Sequence, residues 1–277
     1  MAIAFDFGGV SDVGRYRPNN EDAAYCSRDV LAVADGVGGG PAGELASYLT
    51  ARSFSELRRR RQVPHVDPRH ALRTCLEQAH AELARAAKLQ PSLSDMGTTL
   101  TAVLTGRTRE VSGHRGGEVG LVHVGDSRLY VTLDGQLFQL TRDHSLPQLL
   151  VDQGRITPAE ADRHPQRNVI FRSLRPTGDV DADLVLLVLL LGQRLILCSH
   201  GLSDYVPFER ISELAADGNP QAVATALRDE ALVRGSRDNV TVVVADVVEA
   251  GWLPPEELKL GTLAGLPDDP SHTALAT

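Results

Sequence analysis

The chain has 277 residues, of which 42% are hydrophobic and 23% charged, and its formal net charge is -8. That length and apolar content allow a full core, and because no shift in composition divides the chain, one large domain is expected. The negative charge disfavours nucleic acid and anionic membrane surfaces as partners, since phosphate-rich surfaces select clustered Lys and Arg.

The cysteines and the apolar runs indicate where the protein works. Three cysteines at wide spacing argue against a disulfide framework and a zinc knuckle. The first ten residues lack the basic start and apolar stretch of a secretory signal, and Leu184 to Leu191 is too short to cross a bilayer. We therefore expect a cytoplasmic protein that binds no membrane.

The first third of the chain predicts strands followed by two long helices. Apolar patterning predicts strands at Phe5 to Val13, Ala23 to Ser27 and Val30 to Ala34. A glycine-rich turn at 36–43 leads into a helix from Glu44 to Arg60, and leucines and alanines at helical spacing predict a second helix from His70 to Lys88.

From Gly97 the pattern changes to strands, with a loop tip at 113–117 and a hairpin signal at Asp134-Gly135. These strands are predicted at Thr98 to Leu104, Val119 to Val124, Arg128 to Leu133 and Leu137 to Leu140. Two short helices follow, at Ser145 to Gln153 and Thr157 to Arg163.

The last third predicts an apolar hairpin, a helix pair and a closing strand. They are the strands 184–191 and Arg194 to Cys198, the helices Phe208 to Ala216 and Pro220 to Arg234, and the strand Val240 to Val247. From Ala250 the chain is rich in Pro, Gly and polar residues, which predicts a domain at 1–249 and a loosely ordered tail at 250–277.

Acidic residues that are far apart in sequence stand beside turns, and most of them follow an apolar run. They are Glu21, Asp22, Asp35, Asp126, Asp204 and Asp238. Because the ends of neighbouring strands meet at one edge of a sheet, the pattern predicts a cluster of carboxylates. Such a cluster suits magnesium or manganese, which prefer several oxygen ligands.

The motifs that carry these acids also occur in a known order. They are Arg17-Pro-Asn-Asn-Glu-Asp, Asp35-Gly, Gly125-Asp-Ser-Arg, Ser199-His-Gly-Leu-Ser-Asp and Arg237-Asp-Asn-Val-Thr. From about Gly9 to Val247 the chain resembles the metal-dependent protein phosphatases, the PPM or type 2C serine/threonine family, in their short bacterial form. The resemblance implies an α+β fold, an αββα sandwich of two antiparallel sheets flanked by helix pairs. It also implies a mobile flap beside the active site, from the short helix at Ser145 to about Arg175.

The same resemblance implies two manganese or magnesium ions, with a third at a weaker site. Asp35 is expected to be the ligand shared by both main ions, and Arg17 is expected to hold the phosphate of the substrate. Asp22 is expected to orient the ligands from within the site. The other expected metal-binding positions are Glu21, Gly36 through its carbonyl, Asp126, His200, Asp204 and Asp238.

His200 departs from the family pattern, which has aspartate at this position. A neutral imidazole offers one nitrogen and no negative charge, so weaker occupancy by metal or a shift from magnesium towards manganese, iron or zinc is expected. A hydrogen-bonded histidine that binds no metal is the alternative at this position. The first hypothesis is a monomeric phosphatase that hydrolyses phosphoserine and phosphothreonine by a metal-bridged water, on targets of a bacterial serine/threonine kinase. A pseudophosphatase that only binds its partner and a small-molecule phosphatase remain alternatives.

Overall fold

Two antiparallel sheets packed face to face form the centre of the computed structural model, which describes residues 2–37, 41–60, 67–251 and 257–265. The strands are β1 (Ile3–Asp12), β2 (Asp22–Ser27), β3 (Val30–Val37), β4 (Gly97–Thr98), β5 (Leu100–Val111), β6 (His114–Val124), β7 (Arg128–Leu133), β8 (Gln136–Gln139), β9 (Asp183–Leu190), β10 (Arg194–Cys198), β11 (Val240–Glu249) and β12 (Glu257–Gly261). The helices are α1 (Pro41–Arg60), α2 (Pro68–Leu89), α3 (Leu146–Asp152), α4 (Pro158–Ala161), α5 (His200–Ser203), α6 (Phe208–Ala215), α7 (Pro220–Val233) and α8 (Thr262–Gly265).

The strand order divides the elements between the two sheets. The five-stranded sheet runs β1-β11-β10-β7-β8, and the seven-stranded sheet runs β12-β2-β3-β5-β6-β9 with β4 paired to β3. Their pairings are antiparallel. Helices α1 and α2 cover the seven-stranded sheet, and α7 packs against β1 and β11 of the other sheet.

Three apolar layers hold this arrangement together. One lies between α1, α2 and the larger sheet, one lies between the sheets, and one lies between the smaller sheet and α5 to α7. Alternating residues of a strand point to opposite faces, so β3 contributes Ala32 to the first layer and Leu31 and Val33 to the second. The predicted αββα sandwich is confirmed.

The long second helix shows why its sequence folds this way. The Asp67 side chain accepts a hydrogen bond from the backbone N–H of Arg69, and Pro68 occupies the first turn, where its missing N–H costs nothing. Leu72 and Leu83 are among the residues that α2 buries against the sheet. The predicted apolar stripe is therefore the face that packs.

The tail differs from its prediction. Residues 257–261 form β12, which pairs with β2, and Leu258 and Leu260 pack against the layer between the sheets. Strand β12 thereby covers the edge of β2, which would otherwise be open. Residues 38–40 of the predicted glycine-rich turn lie outside the described residues, as do residues 252–256 and 266–277 of the predicted tail.

The predicted loop tip at 113–117 is also shorter than expected, because β6 begins at His114. The turn is confined to Ser112 and Gly113, which have positive φ angles of 51° and 80°. Among the described helices, none combines the length and the apolar character needed to span a membrane.

Candidate metal centre

The acidic positions meet where strands of both sheets end. Asp22 begins β2 and lies directly opposite Asp35 of β3. Asp126 follows β6, His200 follows β10, and Asp238 precedes β11. The sandwich thus gathers carboxylates from segments that are far apart in sequence.

The backbone of Asp35 is held by two threonines. Its N–H donates to Thr99 Oγ1 at 3.0 Å, and its carbonyl oxygen accepts from the Thr98 hydroxyl at 2.9 Å and from the Thr99 N–H at 2.8 Å. The Asp35 carboxylate accepts a hydrogen bond from the backbone N–H of His200, with 3.2 Å to Oδ2. The side chain is therefore fixed between the two sheets.

A second contact joins the sheets at Asp22, which is 1% exposed. The Ser199 hydroxyl donates to Asp22 Oδ2 at 2.7 Å and accepts from the Thr241 N–H at 3.0 Å. Within the described residues, the other carboxylate oxygen of Asp22 is buried without a hydrogen-bond partner. A buried carboxylate oxygen of this kind is unfavourable unless something of opposite charge reaches it.

Burial and mutual repulsion raise the pKa values of these acids. Burial is the main cause for Asp35, whose pKa lies well above its usual value, and the charges of Asp22, Asp238 and Asp126 add to it. Burial also raises the pKa of Asp22 to about 6. The pKa of Asp126 is raised by burial against the opposing charges of His200 and Arg128. Asp35 and Asp238 therefore share one electrostatic environment.

Glu21 and Gly36 form the edge of the site beside α1. The Gly36 N–H donates to the Glu21 carbonyl at 3.1 Å. A Cβ at Gly36 would lie 2.5 Å from the Gly43 carbonyl oxygen and 2.8 Å from the Glu21 carbonyl oxygen, so only glycine fits. Burial raises the pKa of Glu21, and the nearby charge of Arg17 opposes that effect.

Two arginines neutralise carboxylates at the rim. Arg17 Nη2 lies 2.9 Å from Asp238 Oδ1, with 40% of the arginine side chain exposed. Arg167, from the segment between α4 and β9, donates from Nε to Asp204 Oδ1 at 2.6 Å. Sequence reasoning missed Arg167, since no local pattern connects it to a residue 37 positions further on.

His200 lies inside the acidic cluster, between Asp35 and Asp204. Its backbone contacts Asp35, and its ring nitrogen Nε2 lies 3.7 Å from Asp204 Oδ1. The side chain is 15% exposed. The imidazole therefore faces the part of the site where a third, weaker ion was expected.

The donor set fits divalent cations that prefer oxygen. Carboxylates converge, their pKa values are raised by burial first and then by like charge, and one buried oxygen of Asp22 has no partner in the described residues. Within the same ranges, no three His, Cys, Asp or Glu side chains already stand in an arrangement that could hold an ion. To bind an ion, Asp238 and Asp204 would have to give up their ion pairs with Arg17 and Arg167.

Asn239 is a further site residue that sequence reasoning missed. Its side chain bonds to the backbone at Val13, Asn19 and Glu21, so it joins the segment before β2 to the start of β11. The only sequence signal was its place in Asp238-Asn-Val-Thr, directly before an apolar strand.

Comparison with known proteins places this geometry in a family. The sequence profile of the protein phosphatase 2C family matches residues 18–210. The serine/threonine protein phosphatase PstP of Mycobacterium tuberculosis is 40% identical over 266 residues, which are 96% of this chain and 49% of PstP. The serine/threonine phosphatase stp of Listeria monocytogenes is 31% identical over 244 residues, which are 85% of this chain and 93% of stp.

A solved structure shares the fold. The catalytic domain of PstP, crystallised in complex with two manganese ions, superposes with a TM-score of 0.79 at 40% identity and covers 89% of this chain and 100% of that chain. The present chain spans about half the length of the full PstP relatives, at 49%.

Proposed function

Because the chain belongs to the protein phosphatase 2C family, we propose that it is a metal-dependent phosphatase that hydrolyses phosphoserine and phosphothreonine in proteins. The observation that carries the proposal is the convergence of Asp22, Asp35, Asp126 and Asp238 at the junction of the two sheets. A surface ion-pair network would not bury like charges against one another.

Asp35 is the proposed shared ligand for two manganese or magnesium ions. The Gly36 carbonyl and Asp238 complete the first set, Glu21 serves the second, and Asp22 orients them. Bound manganese or magnesium would supply the Lewis acidity that makes water nucleophilic near neutral pH. The raised pKa of Asp35 shows how strongly this site disfavours uncompensated negative charge.

Arg17 is the proposed phosphate clamp. Its planar guanidinium can hold two phosphate oxygens at once, and its partly exposed position at the rim gives substrate access to it. The phosphate would compete with Asp238 for the guanidinium, which leaves the Asp238 carboxylate free to face a cation.

His200, Asp126 and Asp204 form the proposed third and weaker site. Since imidazole suits manganese better than magnesium, this chain should prefer manganese more strongly than a variant with aspartate at 200. Compared with aspartate at this position, the imidazole also spares the cluster one negative charge, and each further negative charge there is unfavourable.

The remaining expectations belong to the same proposal. The phosphatase domain covers 1–249 and takes in β12 (Glu257–Gly261) as an edge strand of the larger sheet. Its substrates are phosphoproteins that a bacterial serine/threonine kinase has modified, and the protein works as a cytoplasmic monomer. The matches to bacterial serine/threonine phosphatases support the substrate class.

Hydrolysis of p-nitrophenyl phosphate and of a phosphothreonine peptide, with manganese, magnesium or zinc, tests the proposal. The wild-type chain should turn over both substrates with manganese, and Asp35→Asn should lose at least about 100-fold in kcat, as loss of a shared ligand implies. His200→Asp should lower the half-saturating magnesium concentration by about 10-fold or more.

Each alternative has its own outcome. Turnover that appears only in His200→Asp would make the wild-type chain a binding module. Hydrolysis of small esters without any hydrolysis of phosphopeptides would make it a small-molecule phosphatase. Thermal unfolding of each variant, measured in parallel, separates lost catalysis from lost folding.

A further inference from the structure

Asn239 uses its whole side chain to tie the site together. Its Nδ2 donates to the Val13 carbonyl at 2.9 Å and to the Asn19 carbonyl at 3.0 Å. Its Oδ1 accepts from the Glu21 N–H at 2.8 Å. The residue is 3% exposed, so these bonds are protected from water.

The two carbonyls that Asn239 gathers enclose the loop that carries Arg17. Residues 13–21 connect β1 to β2 without strand pairing. The Asn239 side chain thus holds the loop together by bonding to its backbone on both sides of Arg17, and it also fixes the backbone of Glu21 at the end of the loop. Nearer the strands, Asp12 accepts from the Gly14 N–H at 2.8 Å and Asn20 donates to Ser11 at 2.8 Å.

The same residue is anchored to the metal centre through its own backbone. The Asn239 N–H donates to Asp238 Oδ1 at 2.9 Å, which is the oxygen that Arg17 contacts. A Cβ at Gly201 would lie 1.9 Å from the Asn239 carbonyl oxygen, so the backbone at the start of β11 packs directly against the backbone of α5. Asn239 is therefore held in place by its own backbone contacts, and its side chain anchors the loop that carries Arg17.

We propose that Asn239 is a positioning residue that sets Arg17 and Glu21 in register with Asp238, so that the phosphate clamp is formed before substrate arrives. The inference rests on the proposed function. Only asparagine supplies two donors and one acceptor at this length, because aspartate would set a carboxylate against two carbonyl oxygens.

A preformed clamp has a distinct kinetic signature. Arg17 would hold the phosphate in the ground state and in the transition state alike, so its misplacement should raise KM more than it lowers kcat. A residue needed only for folding would change neither constant in the fraction that stays folded.

The test compares Asn239→Asp and Asn239→Ala with the control Asn219→Ala, measured with p-nitrophenyl phosphate at saturating manganese, which keeps the site at Glu21 filled. Asn219 caps α7 through the Ala222 N–H at 2.9 Å, so its removal is also a loss of an asparagine-to-backbone bond. We expect KM to rise about tenfold in both Asn239 variants, with kcat within about threefold, and neither to change in the control. In an Arg17→Ala background, Asn239→Ala should raise KM by less than about twofold, because the clamp is already gone.

Limited trypsin digestion gives a reading that needs no catalysis. Cleavage after Arg15 should be about tenfold faster in the Asn239 variants than in wild type or Asn219→Ala. If the chain proves to lack phosphatase activity, this difference still decides whether Asn239 holds the loop.

Three results obtained with folded protein would overturn the proposal. They are an unchanged cleavage rate after Arg15 in the folded variants, a KM effect of the same size in Asn219→Ala, and a kcat loss without a KM change. Failure of both Asn239 variants to fold would also overturn it, because the residue would then be a condition of folding.

Discussion

The buried side chain of His123 should make the folded protein less stable at acidic pH, because burial lowers its pKa. The ring nitrogen Nδ1 lies 2.9 Å from Thr101 Oγ1, and Nε2 lies 3.1 Å from the Arg142 carbonyl. The ring of His144 stands 4.9 Å away, centroid to centroid. Burial first, and then the neighbouring charge of His144, lower the pKa of His123 from an ordinary 6.5 to about 4.

The sign of the effect follows from which state takes up the proton. Below pH 6.5 the unfolded chain binds a proton at His123 that the folded chain refuses until about pH 4, so stability is lost as pH falls through that interval. Each pKa unit is worth about 1.36 kcal/mol. The whole interval therefore amounts to about 3 kcal/mol, of which about 2 kcal/mol should be lost between pH 7 and pH 5. Asp143 and Asp183 face the same ring and oppose the effect without cancelling it.

Urea unfolding of His123→Gln measures this contribution. The variant should lose about 2 kcal/mol less than wild type between pH 7 and pH 5, whatever its stability at pH 7. His70→Gln, which changes an exposed histidine of α2, should follow the wild-type curve. Parallel curves for wild type and His123→Gln would refute the assignment of a depressed pKa to His123.

Three further outcomes follow from the site. Manganese at one hundred times its dissociation constant should raise the free energy of unfolding of the wild-type chain by about 2.7 kcal/mol. In Asp35→Asn at the same manganese concentration, calorimetric unfolding should show that most of this gain is lost. Gly201→Ala should lower the free energy of unfolding by about 3 kcal/mol or more, because the added Cβ would lie 1.9 Å from a backbone oxygen. Gly251→Ala, where an added Cβ meets nothing within 4 Å, should be near neutral when both variants are compared by thermal unfolding. Arg167→Ala should speed proteolysis of the flap several-fold with less than about 1 kcal/mol lost overall, since its bond to Asp204 is a partly exposed ion pair. Equal digestion rates in wild type and Arg167→Ala would show that this ion pair does not hold the flap.

The acidic positions could be predicted because each carries a local mark. Asp35 closes the apolar run of β3, and Asp238 precedes the apolar run of β11. Strand ends in a sandwich meet at a common edge, so the pattern of runs was enough to place these two acids together. The periodic helices followed for the same reason, since burial repeats along one face.

Contacts between distant polar groups carried no such mark. Asn239 bonds to Glu21 and Val13, which are 218 and 226 positions away, and neither partner has a pattern that names the other. β12 was missed because its apolar residues, Leu258 and Leu260, form a run too short to stand out after Pro254-Pro255. Its pairing with β2 depends on an edge that only the folded sheet provides.

The placement of Asp22 opposite Asp35 favours a bound cation over a structural role for these acids. Like charges directly across two strands destabilise a sheet, and burial raises both pKa values further. A structural acid would satisfy its oxygens from the backbone, as Asp35 does in part through His200. Asp22 instead keeps one buried oxygen without a partner in the described residues, beside Ser199 that holds the other. A divalent ion held by Asp35 would reduce both penalties at once, because its positive charge compensates the repulsion between the two acids and the charge on the free oxygen of Asp22.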